Sequence, residues 1–117
     1  MGRLTEAGDH LRRAIEIRPD NPVYYNNLGQ LYLETGQPDA AVKLLEIAHQ
    51  LDSTEVNICA ALAIAYGRAG HAAEAIATGQ KALELARWQH QKSLEQKIGD
   101  WLTAFERANN SSGAQTP

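Results

Sequence analysis

The sequence predicts an all-α protein, an α-solenoid of antiparallel helix pairs that ends in a capping helix. Three observations lead to this fold class. Between Asn21 and Ser53, apolar residues recur at offsets of three, four and seven, which places them on one face of a helix. Gly36 and Pro38 interrupt this stretch where one helix would end and another begin. The same pattern recurs after a shift of 34 residues, and such a period indicates stacked repeats.

The first predicted helix covers residues 3–18 and supplies the second half of a repeat unit assigned to 1–19. Its apolar side consists of Leu4, Ala7, Leu11, Ala14, Ile15 and Ile17. Pro19 ends it, because the residue before a proline is driven out of the α region. The first half of the unit would precede Met1, so we expect a C-terminal fragment of a longer array. Apolar surface left uncovered on this helix predicts weak self-association.

The first complete unit is predicted at residues 20–53. Its first helix begins at Pro22, capped by Asp20 or Asn21. The buried face of this helix consists of Tyr25, Leu28, Gly29 and Tyr32. The second helix buries Ala41, Leu45 and Ala48, a narrow stripe that lets two helices approach closely.

The second unit, residues 54–87, repeats this hairpin with smaller side chains. Gly79 is its exception, since a glycine inside a helix costs about 1 kcal/mol relative to alanine. We expect a large side chain from the next helix to fill the notch at Gly79, either Trp101 or, as the alternative, Trp88. The lone Cys59 cannot form an internal disulfide, which fits a reducing compartment, and we expect it to have a core role.

The 34-residue register breaks after Leu85, because the next unit would place polar residues at apolar positions. A new amphipathic pattern is formed by Leu94, Ile98, Trp101, Leu102 and Phe105. It predicts a helix at 92–108, within a capping segment assigned to 88–108. The small polar residues of 109–117 predict a disordered tail.

The residues of the first complete unit follow the pattern of a known repeat. That pattern is W-x2-L-G-x2-Y followed by A-x3-F, over about 34 residues. The matching residues are Tyr25, Leu28, Gly29, Tyr32, Ala41, Leu45 and Ala48. Residues 1 to about 87 thus resemble the tetratricopeptide repeat family, and the closing segment resembles that of many bacterial members. The resemblance implies a superhelix whose concave wall is lined by the first helix of each unit.

The resemblance also implies which residues bind a partner. On the concave wall it places Val23, Asn26, Asn27, Gln30, Glu34, Asn57, Ala61, Ile64 and Arg68. Asn27 offers a donor and an acceptor to an extended peptide backbone. It stands where chaperone-binding members place an asparagine of their carboxylate clamp. The clamp's basic residues would fall at Asn57 and Ala61, which argues against a carboxylate-terminated ligand. A solvated residue without a binding role is the alternative for Asn27.

Composition and motifs exclude several classes of function. The net charge is −3 and the basic residues are scattered, so no nucleic acid partner is expected. No apolar run is long enough for membrane insertion and no signal pattern is present, so we expect a cytoplasmic location. The four histidines and Cys59 lack metal-ligand spacing, and no phosphate loop or catalytic signature occurs. We therefore expect neither a metal, a cofactor nor an enzymatic activity.

Two hypotheses for the function remain. The first is a protein–protein interaction scaffold that binds a peptide or a partner protein through the concave face. The second is a regulatory or substrate-docking segment of a larger enzyme, such as a bacterial glycosyltransferase, whose catalytic part lies outside this chain. The sequence does not identify the partner under either hypothesis.

Overall fold

The computed structural model describes the backbone of residues 2–114 and the side chains of residues 3–111. These residues form six helices, each of which packs against the next along the chain. The helices are α1 (Gly2–Ile17), α2 (Pro22–Glu34), α3 (Pro38–Leu51), α4 (Val56–Arg68), α5 (Ala72–Trp88) and α6 (Lys92–Ala114). The predicted all-α array of helix pairs is confirmed.

Glycine and proline set the hairpin turns as the sequence predicts. Gly36 and Gly70 adopt left-handed backbone conformations, with φ of 75° and 86°, after the ends of α2 and α4. Of the two predicted caps for α2, Asn21 is the one used, and its Oδ1 accepts a hydrogen bond of 3.0 Å from the backbone N–H of Val23. Both α2 and α3 begin with a proline, Pro22 and Pro38. The hairpins are therefore defined by local sequence.

The helices form two walls. The first helices of successive units are adjacent, with α2 contacting α4 and α4 contacting α6. Among the described residues, α1, α3 and α5 do not contact one another. Because α2, α4 and α6 lie closer to one another than α1, α3 and α5 do, the array curves with α2, α4 and α6 on its inner side. We call the exposed surface of these three helices the inner wall.

The core lies between the hairpins. Leu45, Val56 and Cys59 are its largest fully enclosed side chains. The Cys59 Sγ donates to the carbonyl oxygen of Thr78 at 3.5 Å, and burial raises the pKa of this thiol to about 11. Cys59 is thus protonated, and its position in the core agrees with the sequence expectation.

Two tyrosine hydroxyl groups bond to segments that precede their own helices. The Tyr25 Oη donates to the carbonyl oxygen of Pro19 at 2.7 Å, and the Tyr66 Oη donates to Oε2 of Glu46 at 2.5 Å. Burial, followed by the hydrogen bond to Glu46, raises the pKa of Tyr66 to about 12. Tyr25 is thus bonded to the turn before α2 and Tyr66 to α3, so both residues have structural roles.

The sixth helix differs from the sequence expectation in length and in register. It continues to Ala114, so residues 109–114 of the predicted tail are helical, and 115–117 lie outside the described residues. It packs on α5 and α4 in the way that α4 packs on α3 and α2. A shift of 36 residues instead of 34 restores the register, since Leu62 then corresponds to Ile98 and Tyr66 to Leu102. The extra length arises because α5 has 17 residues and α3 has 14.

The notch at Gly79 is filled from α6. A Cβ atom at Gly79 would lie 3.1 Å from Cζ3 of Trp101 and 3.0 Å from Cδ1 of Leu102. The prediction for Trp101 is confirmed, and Leu102 shares the notch. The alternative occupant, Trp88, is 84% exposed at the end of α5, so that prediction is wrong.

Candidate functional site

Helix α2 supplies an exposed polar surface to the inner wall. The predicted residues Asn27, Gln30 and Glu34 are exposed, and Asn26 is half-buried. The Nε2 of Gln30 donates to Oδ1 of Asn26 at 3.1 Å, one helical turn away. Val23 is also exposed, by 52%, at the start of the helix. These five residues lie away from the buried face of α2, as the repeat pattern predicts.

Helix α4 contributes three of the four residues that were predicted from it. Asn57 and Arg68 are exposed, and Ile64 is half-buried. The Nδ2 of Asn57 donates to Oε1 of Glu55 at 3.3 Å. Ile64 lies close to α6, where it lines a groove with Trp101. The inner wall therefore has an apolar groove where α4 meets α6.

The prediction that Ala61 lines the binding surface is wrong. Ala61 is only 8% exposed and belongs to a core cluster with Leu45 and Leu62. It holds the same repeat position as Asn27, because 27 + 34 = 61. In α4 this position faces the preceding hairpin and is covered. In α2 the same position, Asn27, is exposed.

Residues of α6 were missed as part of the site. Trp101 and Phe105 stack with their ring centroids 5.2 Å apart, and both rings face α4. Two cavities, of about 130 Å³ and about 220 Å³, are both lined by Ile64 and Trp101. We call these two adjoining cavities the Trp101 groove. The shift of 36 residues could have found it, since it places α6 in line with α2 and α4.

The remaining cavities and titratable groups do not form a catalytic arrangement. A cavity of about 680 Å³ is lined by residues of α5 and α6, which are mainly polar and charged. Burial, and then the charge of Lys81, lowers the pKa of His49, which stands on α3. Within the part of the chain that the structure describes, no group of His, Cys, Asp or Glu could hold a metal ion. None of the described helices is long and apolar enough to cross a membrane.

Two family models match the N-terminal half of the chain. One, described as TPR repeat, matches residues 1–36, and the other, described as Tetratricopeptide repeat, matches residues 22–54. No curated protein sequence matches the chain. The sequence models therefore cover α1, α2 and α3, and the assignment of the later helices depends on the structure.

Solved structures extend the similarity over the whole array. The Yersinia enterocolitica type III secretion chaperone SycD, in complex with a peptide of the translocator YopD, has a TM-score of 0.81 at 21% identity, over 92% of this chain and 83% of SycD. PcrH, in complex with the chaperone binding region of PopD, scores 0.84 at 18% identity, over 92% and 82%. The Sgt2 TPR domain from Aspergillus fumigatus scores 0.84 at 21% identity, over 99% and 76%. At these identities the similarity establishes the fold.

Proposed function

We propose that this chain, of which residues 1–54 match tetratricopeptide-repeat models, binds an extended segment of a partner protein along the inner wall. The observation that carries the proposal is the row of exposed side chains on α2 and α4, beside a groove that begins at Ile64. Asn27 and Gln30 each offer an amide donor and acceptor, which suit the alternating N–H and C=O groups of an extended backbone. The ligand class is a peptide segment.

The dimensions of the wall fit such a segment. Packed helices lie about 8–10 Å apart, so the line across α2, α4 and α6 is about 20 Å long. An extended chain rises about 3.3 Å per residue, and about six residues would cross the wall.

Two of the similar structures hold a segment of another protein. SycD is bound to a peptide of YopD, and PcrH is bound to the chaperone binding region of PopD. Their folds resemble this chain over more than nine-tenths of its length. Peptide binding on this fold supports the proposal, while the identity of the partner comes from neither complex.

The source, the location and the extent of the chain are also matters of proposal. We propose a bacterial, cytoplasmic protein that is a fragment of a longer array. The second hypothesis, a docking segment of a larger enzyme, uses the same inner wall but joins it to a catalytic part elsewhere in the gene. The complete gene sequence separates the two hypotheses.

The test begins with a library of random 12-residue peptides, selected on the immobilised protein. Asn27→Ala and Gln30→Ala should each weaken the binding of an enriched peptide by about 2- to 10-fold, which is the value of one hydrogen bond. Both changes should alter the free energy of unfolding by less than about 0.5 kcal/mol. Gln50→Ala, an exposed glutamine on α3, is the matched control. Equal losses for Gln30→Ala and Gln50→Ala would contradict binding on the inner wall.

Weak self-association through α1 also stays a proposal. Leu4 is 41% exposed, and Leu11 and Ile15 are half-buried. Apolar area of a few hundred Å² contributes several kcal/mol at about 25 cal/mol per Å², against an association cost of about 4–15 kcal/mol. Sedimentation over a concentration series should therefore show a monomer that pairs only when concentrated. A dimer at every concentration that Leu11→Glu leaves intact would place the interface elsewhere.

A further inference from the structure

The Trp101 groove combines an apolar floor with a size that suits a single side chain. Its narrower part lies over small residues of α4 and α5, namely Ala60, Ala63 and Gly79. The volume of that part, about 130 Å³, is close to the roughly 150 Å³ of an engineered protein cavity that accepts benzene. Pockets for drug-sized ligands have about 300–1,000 Å³. This narrower part therefore fits one branched aliphatic side chain or one phenyl ring.

The shape of the groove depends on residues that leave space. Ala60 and Gly67 hold the α4 side of the groove and carry little or no side chain. A Cβ atom at Gly67 would lie 2.9 Å from Cε1 of Phe105, so α6 approaches α4 closely at that point. Trp101 between them is half-buried, and one part of its ring borders the open space. The Trp101 ring therefore offers apolar surface that a ligand can contact.

The charges at the groove have one sign. Lys97 borders one part of the groove and Arg68 borders the other, and they are its only charged lining residues within residues 3–111. Neither cation forms an ion pair with a side chain that the structure describes. Glu34 and Asp100, which also stand on first helices, line neither part. A net charge of −3 makes this concentration of positive charge a local feature.

We propose that the Trp101 groove is the anchor site of the partner segment, and that it binds an apolar side chain flanked by aspartate or glutamate. The proposal rests on the proposed function and names the kind of sequence that the inner wall selects. The apolar side chain supplies most of the affinity, because it is removed from water when it packs against Trp101 and Ile64. The flanking carboxylates approach Arg68 and Lys97, which sets the register of the segment.

The enriched peptides from the random library provide the first test. They should share one Leu, Ile, Met or Phe with an Asp or Glu within two residues of it. In a synthetic copy of the best peptide, replacing the apolar anchor by serine should weaken binding by about 10- to 100-fold. Changing the neighbouring carboxylates to amides should weaken it by about 2- to 5-fold, as expected for exposed ion pairs. Enriched peptides without an acidic bias would overturn the proposal.

Variants of the protein provide the second test. Ala60→Leu fills the groove and should weaken binding about 10-fold or more, while Lys97→Glu should weaken it about 5-fold. Lys92→Glu is the matched control for Lys97→Glu, since both lysines are exposed on α6 and Lys92 lines neither part of the groove. Equal effects of the two lysine changes would overturn the proposal. Urea unfolding of each variant verifies that the fold is retained.

A fluorescence readout locates the ligand. Trp88→Phe removes the exposed indole and leaves Trp101 as the single tryptophan, whose emission should shift to shorter wavelength when the peptide covers it. An unchanged spectrum at saturation would overturn the anchor site. Peptides that respond to Asn27→Ala but not to Ala60→Leu would leave the proposed function standing and refute the Trp101 groove. Peptides that respond to neither variant would refute both.

Discussion

Gly29 and Gly99 hold equivalent repeat positions, yet replacing each by alanine should have opposite effects on stability. A Cβ atom at Gly29 would lie 2.7 Å from Cγ of Leu45, with both methyl carbons of Leu45 within 3.3 Å. Leu45 is fully buried and cannot move aside. At Gly99 the nearest atom would be Cδ1 of Leu83 at 3.8 Å, which is an ordinary contact.

The magnitudes follow from two opposing contributions. Alanine is favoured over glycine in a helix by about 1 kcal/mol, and this contribution is present in both variants. Carbon atoms pack best at about 3.5–4.0 Å, so Gly29→Ala also forces α2 and α3 apart, at about 1–3 kcal/mol for an overpacked core. We expect Gly99→Ala to raise the free energy of unfolding by about 0.5–1 kcal/mol and Gly29→Ala to lower it by up to about 2 kcal/mol.

Urea unfolding followed by circular dichroism measures both effects. A double-mutant cycle with Leu45→Ala identifies their cause. Leu45→Ala alone should lower the free energy of unfolding by about 2–5 kcal/mol. In the Gly29→Ala background the same change should cost at least about 1 kcal/mol less, because the shorter side chain at position 45 makes room for the new methyl group. The reasoning would be refuted if Gly29→Ala stabilised the protein as much as Gly99→Ala does.

Three further changes test other parts of the fold. Trp101→Ala should cost about 3 kcal/mol in urea unfolding, because it empties the notch at Gly79, and a loss below about 1 kcal/mol would contradict that packing. Stability should fall as pH rises from 10 to about 12, since the folded state holds the Tyr66 proton more tightly than the unfolded chain. Tyr66→Phe should reduce this fall, and an unchanged pH profile would argue against the raised pKa. His90 has a φ of 57°, so His90→Gly should raise the melting temperature by relieving about 1 kcal/mol of left-handed strain, and a lower one would contradict this.

The sequence predicted those features of the fold that depend on local chemistry. Gly36, Gly70 and Pro38 determine turns through their own backbone preferences, so the hairpins were visible without a structure. Gly79 was also informative, because an unfavourable residue inside a helix indicates a close neighbour. The prediction that Trp101 fills the notch at Gly79 was correct, since Trp101 lies on the apolar stripe of α6.

Features that depend on the spacing of helices were less accessible. A strict shift of 34 residues hid the relation between α4 and α6, because α5 is longer than α3. The Trp101 groove was missed for the same reason. Ala61 was placed on the binding surface because its repeat position matches that of Asn27. Its burial depends on the hairpin that packs against α4, and repeat position alone does not report that contact.

The central claim is that the inner wall of α2, α4 and α6 binds a peptide segment. Nuclear magnetic resonance of the isotope-labelled protein tests it most directly, by following backbone amide shifts while an enriched peptide is added. We expect the largest shifts near Asn27, Ile64 and Trp101, with little change on the outer faces of α3 and α5. Shifts confined to the outer faces, or centred on the N-terminal surface of α1, would contradict the claim.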